Sequence, residues 1–464
     1  MGEITQLSAV ELRRRMVAGE LTAAAVMAAH LDRIEAVNGA VNAVVSLRPR
    51  DGLMAQAEAT DVRGGALAGL PVAVKDLANV AGIETTMGSP AFAGIVPSRS
   101  DEMVRRMQAA GAIVIGKTNT PEFGLGSHTF NPVFGATRNP WDLGRSAGGS
   151  SGGAAAALAC GMVPVADGSD MMGSLRNPAG WCGVYGMRPS WGMIPGEPGG
   201  DSFLHQLSTS GPMARCPEDL ALLLSVQAGP DARVPHGVPC PDLSPLRAQV
   251  AGRRIGWLGD WGGAWPMEAG LSGACEAALA VFEGLGCHVE PLPAPFDAGA
   301  LWEAWITLRS WAVAANLREL YETRPEVLKP EAIWEVERGL AMSAMEVHEA
   351  SVIRSAWFAK AAEVFGRFDA LALPTAQTWP FPVELDWPKE IGGQGMDTYH
   401  RWMECVVPVS LIGLPALAVP GPRGAQGLPS GMQLAGPRGS DLALLQLGQA
   451  YHEAAPWAGE MPLL

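Results

Sequence analysis

Residues 144–189 read GRSAGGSSGGAAAALACGMVPVADGSDMMGSLRNPAGWCGVYGMRP and decide how the rest of the chain is interpreted. Ser150 and Ser174 lie in two glycine-flanked segments of this stretch. Glycines around a serine permit backbone angles closed to other residues and let a substrate approach the main chain closely. We therefore interpret the hydroxyls of Ser150 and Ser174 as parts of one catalytic site.

A buried helix and a strand are predicted between the two serines. Residues 154–160 hold nothing larger than leucine and no charge, which predicts a buried helix that starts at the glycine turn. Residues 163–166 form a short apolar run that predicts a strand ending near Gly168. The loop that follows presents consecutive main-chain N–H groups beside the Ser174 hydroxyl. Such groups can form an oxyanion hole, which we assign to the amides of Met171, Met172, Gly173 and Ser174.

The two serine loops resemble the signature of the amidase signature family of serine hydrolases, GGSSGG followed by GxDxxGSxR. The likeness extends over nearly the whole chain, through LPVAVKD at 70–76, GPMAR at 211–215, PALAVP at 415–420 and SGMQLAG at 430–436. The resemblance implies that Lys75 is the base, that Ser150 is a bridging serine in a cis peptide, and that Ser174 is the nucleophile. Formation of an acyl-Ser174 intermediate is then expected.

The chemistry of these residue types agrees with that assignment. A serine nucleophile needs a base, and a lysine can act as one only when burial depresses its pKa. The apolar residues around Lys75 supply such surroundings. Three further residues, Ser151, Asp170 and Arg176, are expected to support the site without taking part in the reaction.

Two short motifs favour other classes of protein. Residues 148–152 also fit G-x-S-x-G, the nucleophile elbow of α/β-hydrolases, which requires an apolar strand directly before it. Residues 139–145 are predicted to form a turn instead. Residues 111–118, GAIVIGKT, match the phosphate-binding G-x-x-x-x-G-K-T pattern, which requires a strand before the loop and a helix after it. Here the loop itself is predicted to be a strand, so we interpret the match as chance.

Composition excludes several classes of function. The 464 residues are 48% hydrophobic and 17% charged, with a formal charge of −14, so the chain can bury a large core and nucleic acid is not expected as a partner. Seven cysteines at irregular spacing indicate reduced thiols. The sequence shows no signal peptide, membrane span or metal-ligand spacing, so we expect a cytoplasmic enzyme without membrane contact, metal or cofactor.

The order of predicted elements indicates an α/β fold. Strands at 44–47, 72–75 and 113–115 alternate with helices at 52–59 and 101–110, a βαβ pattern. With the resemblance, this predicts the amidase signature fold: a mixed, mostly parallel central sheet covered by helices on both faces. We expect one domain over residues 1–464, with the signature core at about 70–215 and a variable helical substrate entrance at about 295–405.

The nature of the substrate is predicted from apolar residues near the nucleophile. His128, Phe130 and Met172 are candidates for the pocket wall, and residues 257–402 are rich in tryptophan. The main hypothesis is a free-standing amidase, monomeric or homodimeric, that cleaves small aromatic amides and also aryl carbamates (urethanes) and esters. The alternatives are the glutaminase subunit of a tRNA-dependent amidotransferase, a role found in the same family, and an inactive homologue used for binding.

Overall fold

A mixed eleven-stranded sheet runs through the protein, in a computed structural model that describes residues 2–204 and 206–464. Its order is β1-β3-β2-β6-β8-β7-β14-β15-β11-β9-β10, and β4-β5 and β12-β13 form two separate hairpins. The strands are β1 (Val44–Val45), β2 (Pro71–Lys75), β3 (Ile113–Thr118), β4 (Arg138–Asn139), β5 (Asp142–Ser146), β6 (Val165–Asp170), β7 (Tyr185–Arg188), β8 (Thr209–Ala214), β9 (Arg254–Trp257), β10 (His288–Pro291), β11 (Ala370–Pro374), β12 (Glu390–Ile391), β13 (Gln394–Gly395), β14 (Ala416–Pro420) and β15 (Gly431–Ala435).

Parallel pairs lie on the two flanks of the sheet. Strand β2 is parallel to both β3 and β6, and β9 is parallel to both β10 and β11. The strands between these flanks pair antiparallel, from β6-β8 through β11-β15, and β1 is antiparallel to β3 at the edge. The predicted α/β fold with a mixed central sheet is confirmed.

Helices cover the sheet and form a separate layer in the second half of the chain. The helices are α1 (Gly2–Gln6), α2 (Ala9–Val17), α3 (Ala23–Val41), α4 (Arg50–Glu58), α5 (Glu102–Ala109), α6 (Gly152–Ala159), α7 (Asn177–Cys182), α8 (Pro217–Gln227), α9 (Leu271–Gly284), α10 (Ala298–Thr323), α11 (Pro330–Ala341), α12 (Ala344–Phe365), α13 (Val407–Leu411) and α14 (Asp441–Ala454). None of the helices in the described ranges is long and apolar enough to cross a membrane.

Local capping signals set several helix boundaries. The Ser8 hydroxyl accepts from Glu11 N at 3.1 Å, and the Thr22 hydroxyl accepts from Ala25 N at 3.0 Å, so both begin helices where a cap is expected. Helices α11 and α12 follow each other closely in the chain but are separate. Ser343 forms a capping box with Glu346 that starts α12 anew after α11 has ended.

The two alternative motifs lie in unsuitable contexts. The phosphate-binding match falls on β3, where Lys117 is buried and donates to Thr85 Oγ1 at 3.0 Å, and α5 precedes the strand instead of following it. A strand does precede the glycine loop, contrary to the predicted turn. It is β5, which belongs to the small β4-β5 hairpin and not to the central sheet. An α/β-hydrolase elbow would require a strand of that central sheet.

Helix α6 packs so closely against its neighbours that only small residues fit. All of its residues are buried, and it contacts β1, β2, β3, β6 and β8. A Cβ added at Gly153 would lie 2.3 Å from Asn119 N and 2.8 Å from Ala43 O, both main-chain atoms that cannot rotate away. The run of glycine and alanine therefore permits the backbone contact that fixes Ser150 and Ser151 beside the sheet.

Gly153→Ala is expected to destabilise the protein by about 1–3 kcal/mol through overpacking, although alanine is the better helix former. Gly39→Ala is the matched control, because Gly39 is an exposed glycine inside α3 and an added Cβ there meets nothing within 4 Å. That control should gain about 0.5–1 kcal/mol. Thermal unfolding of the two variants checks both the expected loss of stability in Gly153→Ala and the expected gain in Gly39→Ala. Equal or higher stability of Gly153→Ala would contradict the packing argument.

Candidate active site

Strand β2 carries Lys75 into the interior at the C-terminal end of the strand. The lysine is only 1% exposed, and its Nζ contacts Ser150 Oγ at 2.8 Å, Ser151 Oγ at 2.9 Å and Ser169 Oγ at 3.0 Å. The resemblance implied the contact with Ser150. Ser169 was missed by the sequence analysis, although its position at the end of β6, beside β2, could have indicated it.

Burial lowers the pKa of Lys75 from 10.5 to about 7. Asp167 and Asp170 act in the opposite direction by attracting the charged form, but the cost of desolvation is larger. Asp167 also fixes the strand, because its carboxylate accepts from Lys75 N at 3.0 Å. A substantial fraction of the lysine is therefore neutral near pH 7 and can accept a proton.

Ser150 and Ser151 lie at the start of α6, where the glycine loop brings their hydroxyls to the lysine. The Gly149–Ser150 peptide bond is cis. Ser151 Oγ also lies 3.3 Å from Ser169 O and 3.4 Å from Ser169 N. The three hydroxyls around Lys75 thus form one connected hydrogen-bonded group.

The loop that carries Ser174 is held by the Asp170 carboxylate. This carboxylate accepts from Gly173 N at 2.9 Å and Leu175 N at 3.1 Å, and from the guanidinium of Arg176 at 2.9 and 3.0 Å. Arg188, which the sequence analysis did not single out, donates to it at 3.0 Å. Burial alone would raise the pKa of Asp170, but the two guanidinium groups hold it well below its usual range.

Not every amide of this loop is available to an oxyanion. Gly173 N is engaged by Asp170, so its assignment to the oxyanion hole is not supported. The amides of Met171, Met172 and Ser174 have no acceptor among the described residues. Met172 keeps an ordinary backbone, and the left-handed residue of the loop is Gly173, with φ of 78°. Methionine at position 172 is thus compatible with the loop.

A cavity of about 430 Å³ opens over the serines. Ser150, Ser169 and Ser174 all contribute to its wall. The other lining residues are Leu77, Met87, Phe92, Phe123, Gly124, Leu125, Gly126, Ser127, Met171, Met172, Ser208, Arg309, Val313, Asn316, Leu317 and His400. Met172 lines the cavity, whereas no tryptophan of the described residues does.

His128 and Phe130 do not line this cavity. His128 is buried, with Nδ1 2.6 Å from Ser146 Oγ and Nε2 3.0 Å from Val383 O. Burial lowers its pKa to about 4, so it is a neutral histidine that connects the β5 segment to residue 383. The tryptophans of the second half, such as Trp302, Trp305 and Trp402, pack in a buried cluster instead of an entrance. The tryptophans are abundant in this segment because they fill the hydrophobic core.

Arg309 is a cavity residue that the sequence analysis missed. It lies on α10 and donates to Glu335 Oε1 at 2.6 Å and to Tyr399 Oη at 2.6 Å. A lone arginine in an otherwise apolar stretch of a buried helix was the signal that could have identified it. No cluster of His, Cys, Asp or Glu that could hold a metal ion occurs among residues 2–204 and 206–464.

The chain is similar to known proteins over most of its length. The family model described as Amidase matches residues 25–445. The chain is 34% identical to a glutamyl-tRNA(Gln) amidotransferase subunit from Chloroflexus aurantiacus, with 100% of each chain covered, and 37% identical to the protein of the same name from Thermus thermophilus, with 96% of each covered. The solved structure of a bacterial aryl acylamidase of the amidase signature family matches with a TM-score of 0.90 at 30% identity, covering 97% of this chain and 96% of that one.

These relatives correct the main functional hypothesis. The expectation of a free-standing amidase for aryl amides and carbamates is contradicted, because the curated relatives that match over the full length carry the name of an amidotransferase component. The hypothesis also expected a tryptophan-rich mouth, but none of the described residues that line the cavity is a tryptophan. By its family match, its full-length relatives and its fold, the chain belongs to the amidase signature family and is an enzyme that acts on amides.

Proposed function

We propose that the chain hydrolyses the side-chain amide of glutamine and supplies the ammonia to a tRNA-dependent amidotransferase. The observation that carries the proposal is the juxtaposition of a buried Lys75, the Ser150 hydroxyl and Ser174 at one cavity. The name of the full-length relatives supports the choice of glutamine and of partner subunits. Contact with tRNA then belongs to the assembly, which is compatible with the acidic charge of this chain.

In the proposed mechanism, neutral Lys75 takes a proton through Ser150 from Ser174. The Ser174 oxygen attacks the amide carbonyl, and the amides of Met171, Met172 and Ser174 stabilise the negative charge that develops on the carbonyl oxygen. The proton returns to the leaving nitrogen, which departs as ammonia and leaves an ester on Ser174. Water attacks this ester by the reverse proton path and releases glutamate and the free serine.

Ser174→Ala is expected to abolish glutamine hydrolysis, whereas Lys75→Ala and Ser150→Ala should lower kcat by roughly 10²–10⁴-fold, because binding and the oxyanion donors remain. The rate of ammonia release, measured with each purified variant, checks this order of activities. Ser225→Ala is the control, since Ser225 is exposed on α8 and its hydroxyl donates to Leu222 O of the same helix. Near-native activity of Ser150→Ala, or an acyl group trapped on any other residue, would contradict the assigned roles.

The pH dependence of kcat/KM should reflect the protonation of Lys75. Because the pKa of Lys75 is lowered to about 7 and only its neutral form accepts a proton, kcat/KM should fall about tenfold per pH unit below that value and reach a plateau above it. Steady-state rates from pH 5 to 9 provide the measurement, with circular dichroism as the control for folding. A rate that stays flat down to pH 5 would exclude a lysine base.

The choice of substrate is tested by comparing glutamine with acetanilide. We expect ammonia from glutamine and co-purification of partner subunits when the chain is isolated from its native cell. The anilide should be the poorer substrate in kcat/KM by at least about tenfold, which is about 1.4 kcal/mol of barrier. Turnover of acetanilide with none of glutamine, and a chain that purifies alone, would refute the proposed function.

A further inference from the structure

One face of helix α10 brings a single cation to the cavity of Ser174. Arg309, Val313, Asn316 and Leu317 follow the spacing of one helix face, and all four line the cavity. Arg309 Nη1 lies 3.5 Å from the sulfur of Met171, a residue of the loop that ends in Ser174. The guanidinium group is therefore placed beside the nucleophile loop.

The arginine is held in place by groups that leave it charged. Its Nε donates to Glu335 Oε1 at 2.6 Å and its Nη2 to Tyr399 Oη at 2.6 Å, while the Tyr399 hydroxyl donates to the same carboxylate at 2.8 Å. Ser310 donates to the other oxygen of Glu335. Burial disfavours the charge, but Tyr399 and Glu335 more than offset this and raise the pKa of Arg309.

Two donors at this wall lack a good acceptor. Within residues 2–204 and 206–464, Arg309 Nη1 has only the Met171 sulfur as acceptor, and a thioether accepts weakly. His400 is 2% exposed and also lines the cavity. Its Nε2 lies 3.8 Å from Glu335 Oε1, beyond hydrogen-bond distance, and has no hydrogen-bond partner among the described residues. Its Nδ1 lies 3.0 Å from the Thr398 hydroxyl, which can donate to it and leave the proton on Nε2. Buried donors without an acceptor are costly, and a bound anion would satisfy both.

The cavity offers no matching group for a cation. Within the described ranges, no aspartate or glutamate lines it, and the carboxylate of Glu335 is already used by Arg309, Tyr399 and Ser310. Asn316 and the serines are neutral acceptors. A substrate carboxylate in this cavity would therefore find an oppositely charged partner in Arg309. A substrate ammonium group would find no carboxylate among the described lining residues.

We propose that Arg309 and His400 bind a carboxylate at the far end of the acyl group, so that the substrate class is the monoamides of short dicarboxylic acids, with no requirement for an α-amino group. This inference rests on the proposed function, because glutamine is one member of the class. It names the distal carboxylate as the group by which the substrate is selected. It also states that the α-amino group of glutamine is not recognised by the cavity.

Three amides of similar length test the class on the native chain. Glutaric acid monoamide lacks only the amino group of glutamine, and butyramide lacks the distal carboxylate as well. The monoamide should match or exceed glutamine in kcat/KM and should exceed butyramide by roughly ten- to a hundredfold, the value of a charged hydrogen bond. Equal rates for the monoamide and butyramide overturn the carboxylate subsite. A preference of more than about tenfold for glutamine over the monoamide, the effect of one charged contact, overturns the statement about the amino group.

A charge-neutral double variant tests the residues. Arg309→Met combined with Glu335→Gln removes cation and anion together, so no buried charge is left unpaired. The ratio of kcat/KM for the monoamide to that for butyramide should fall roughly ten- to a hundredfold. The matched control is Arg318→Met with Glu322→Gln, which removes an exposed ion pair of the same helix and should leave the ratio unchanged. A purely structural role of Arg309 would lower both rates and keep the ratio, which would overturn the proposal.

Binding to Ser174→Ala separates this inference from the proposed function. Calorimetric titration of that variant with the monoamide and with butyramide needs no turnover. Tighter binding of the monoamide, together with a native chain that hydrolyses none of the three amides, would refute the proposed function and leave the carboxylate subsite standing. Equal binding of the two amides would refute the subsite, whatever the native chain hydrolyses.

Discussion

The burial of one ammonium group, that of Lys75, is the constraint to which the surrounding elements are fitted. Strand β2 lies inside the sheet between β3 and β6, so the lysine at its end is almost wholly withdrawn from solvent. Three serine hydroxyls surround Nζ, but neutral dipoles compensate only part of the lost hydration. The pKa of Lys75 therefore falls to about 7. Helix α6 must be made of small residues because it brings two of these serines so close.

A second buried charge shapes the loop beside the lysine. Asp170 ends β6, and its two oxygens gather amides of its own loop and the guanidinium groups of Arg176 and Arg188. A buried carboxylate surrounded in this way stays ionised and fixes the main chain that donates to it. In the proposed mechanism, the loop amides that remain without acceptors, such as that of Met172, bind the oxygen that becomes negative during the reaction. Preorganised donors of this kind need no rearrangement when charge develops.

The substrate cavity illustrates why residue counts are a poor guide to specificity. A tryptophan-rich segment suggested an aromatic entrance, but those rings fill the helical core around α10 and α12. The wall of the cavity instead combines apolar side chains with serine hydroxyls around the nucleophile and the charge of Arg309. A single buried cation outweighs many apolar contacts in selecting a substrate, because a desolvated charge without its partner is costly whereas an apolar surface accepts many shapes.

Signals that are local in the chain were enough to predict the candidate catalytic groups. Glycine-flanked serines and an uncharged run of small residues pointed to Ser150 and Ser174, and the resemblance to the amidase signature family implied that Lys75 joins them. Contacts between distant segments could be seen only in the folded chain. An example is the approach of Arg309 to the sulfur of Met171, a residue 138 positions earlier in the chain. Periodicity and composition tell which residues are buried. They do not tell which buried group a residue meets, because that depends on how the helices pack on the sheet.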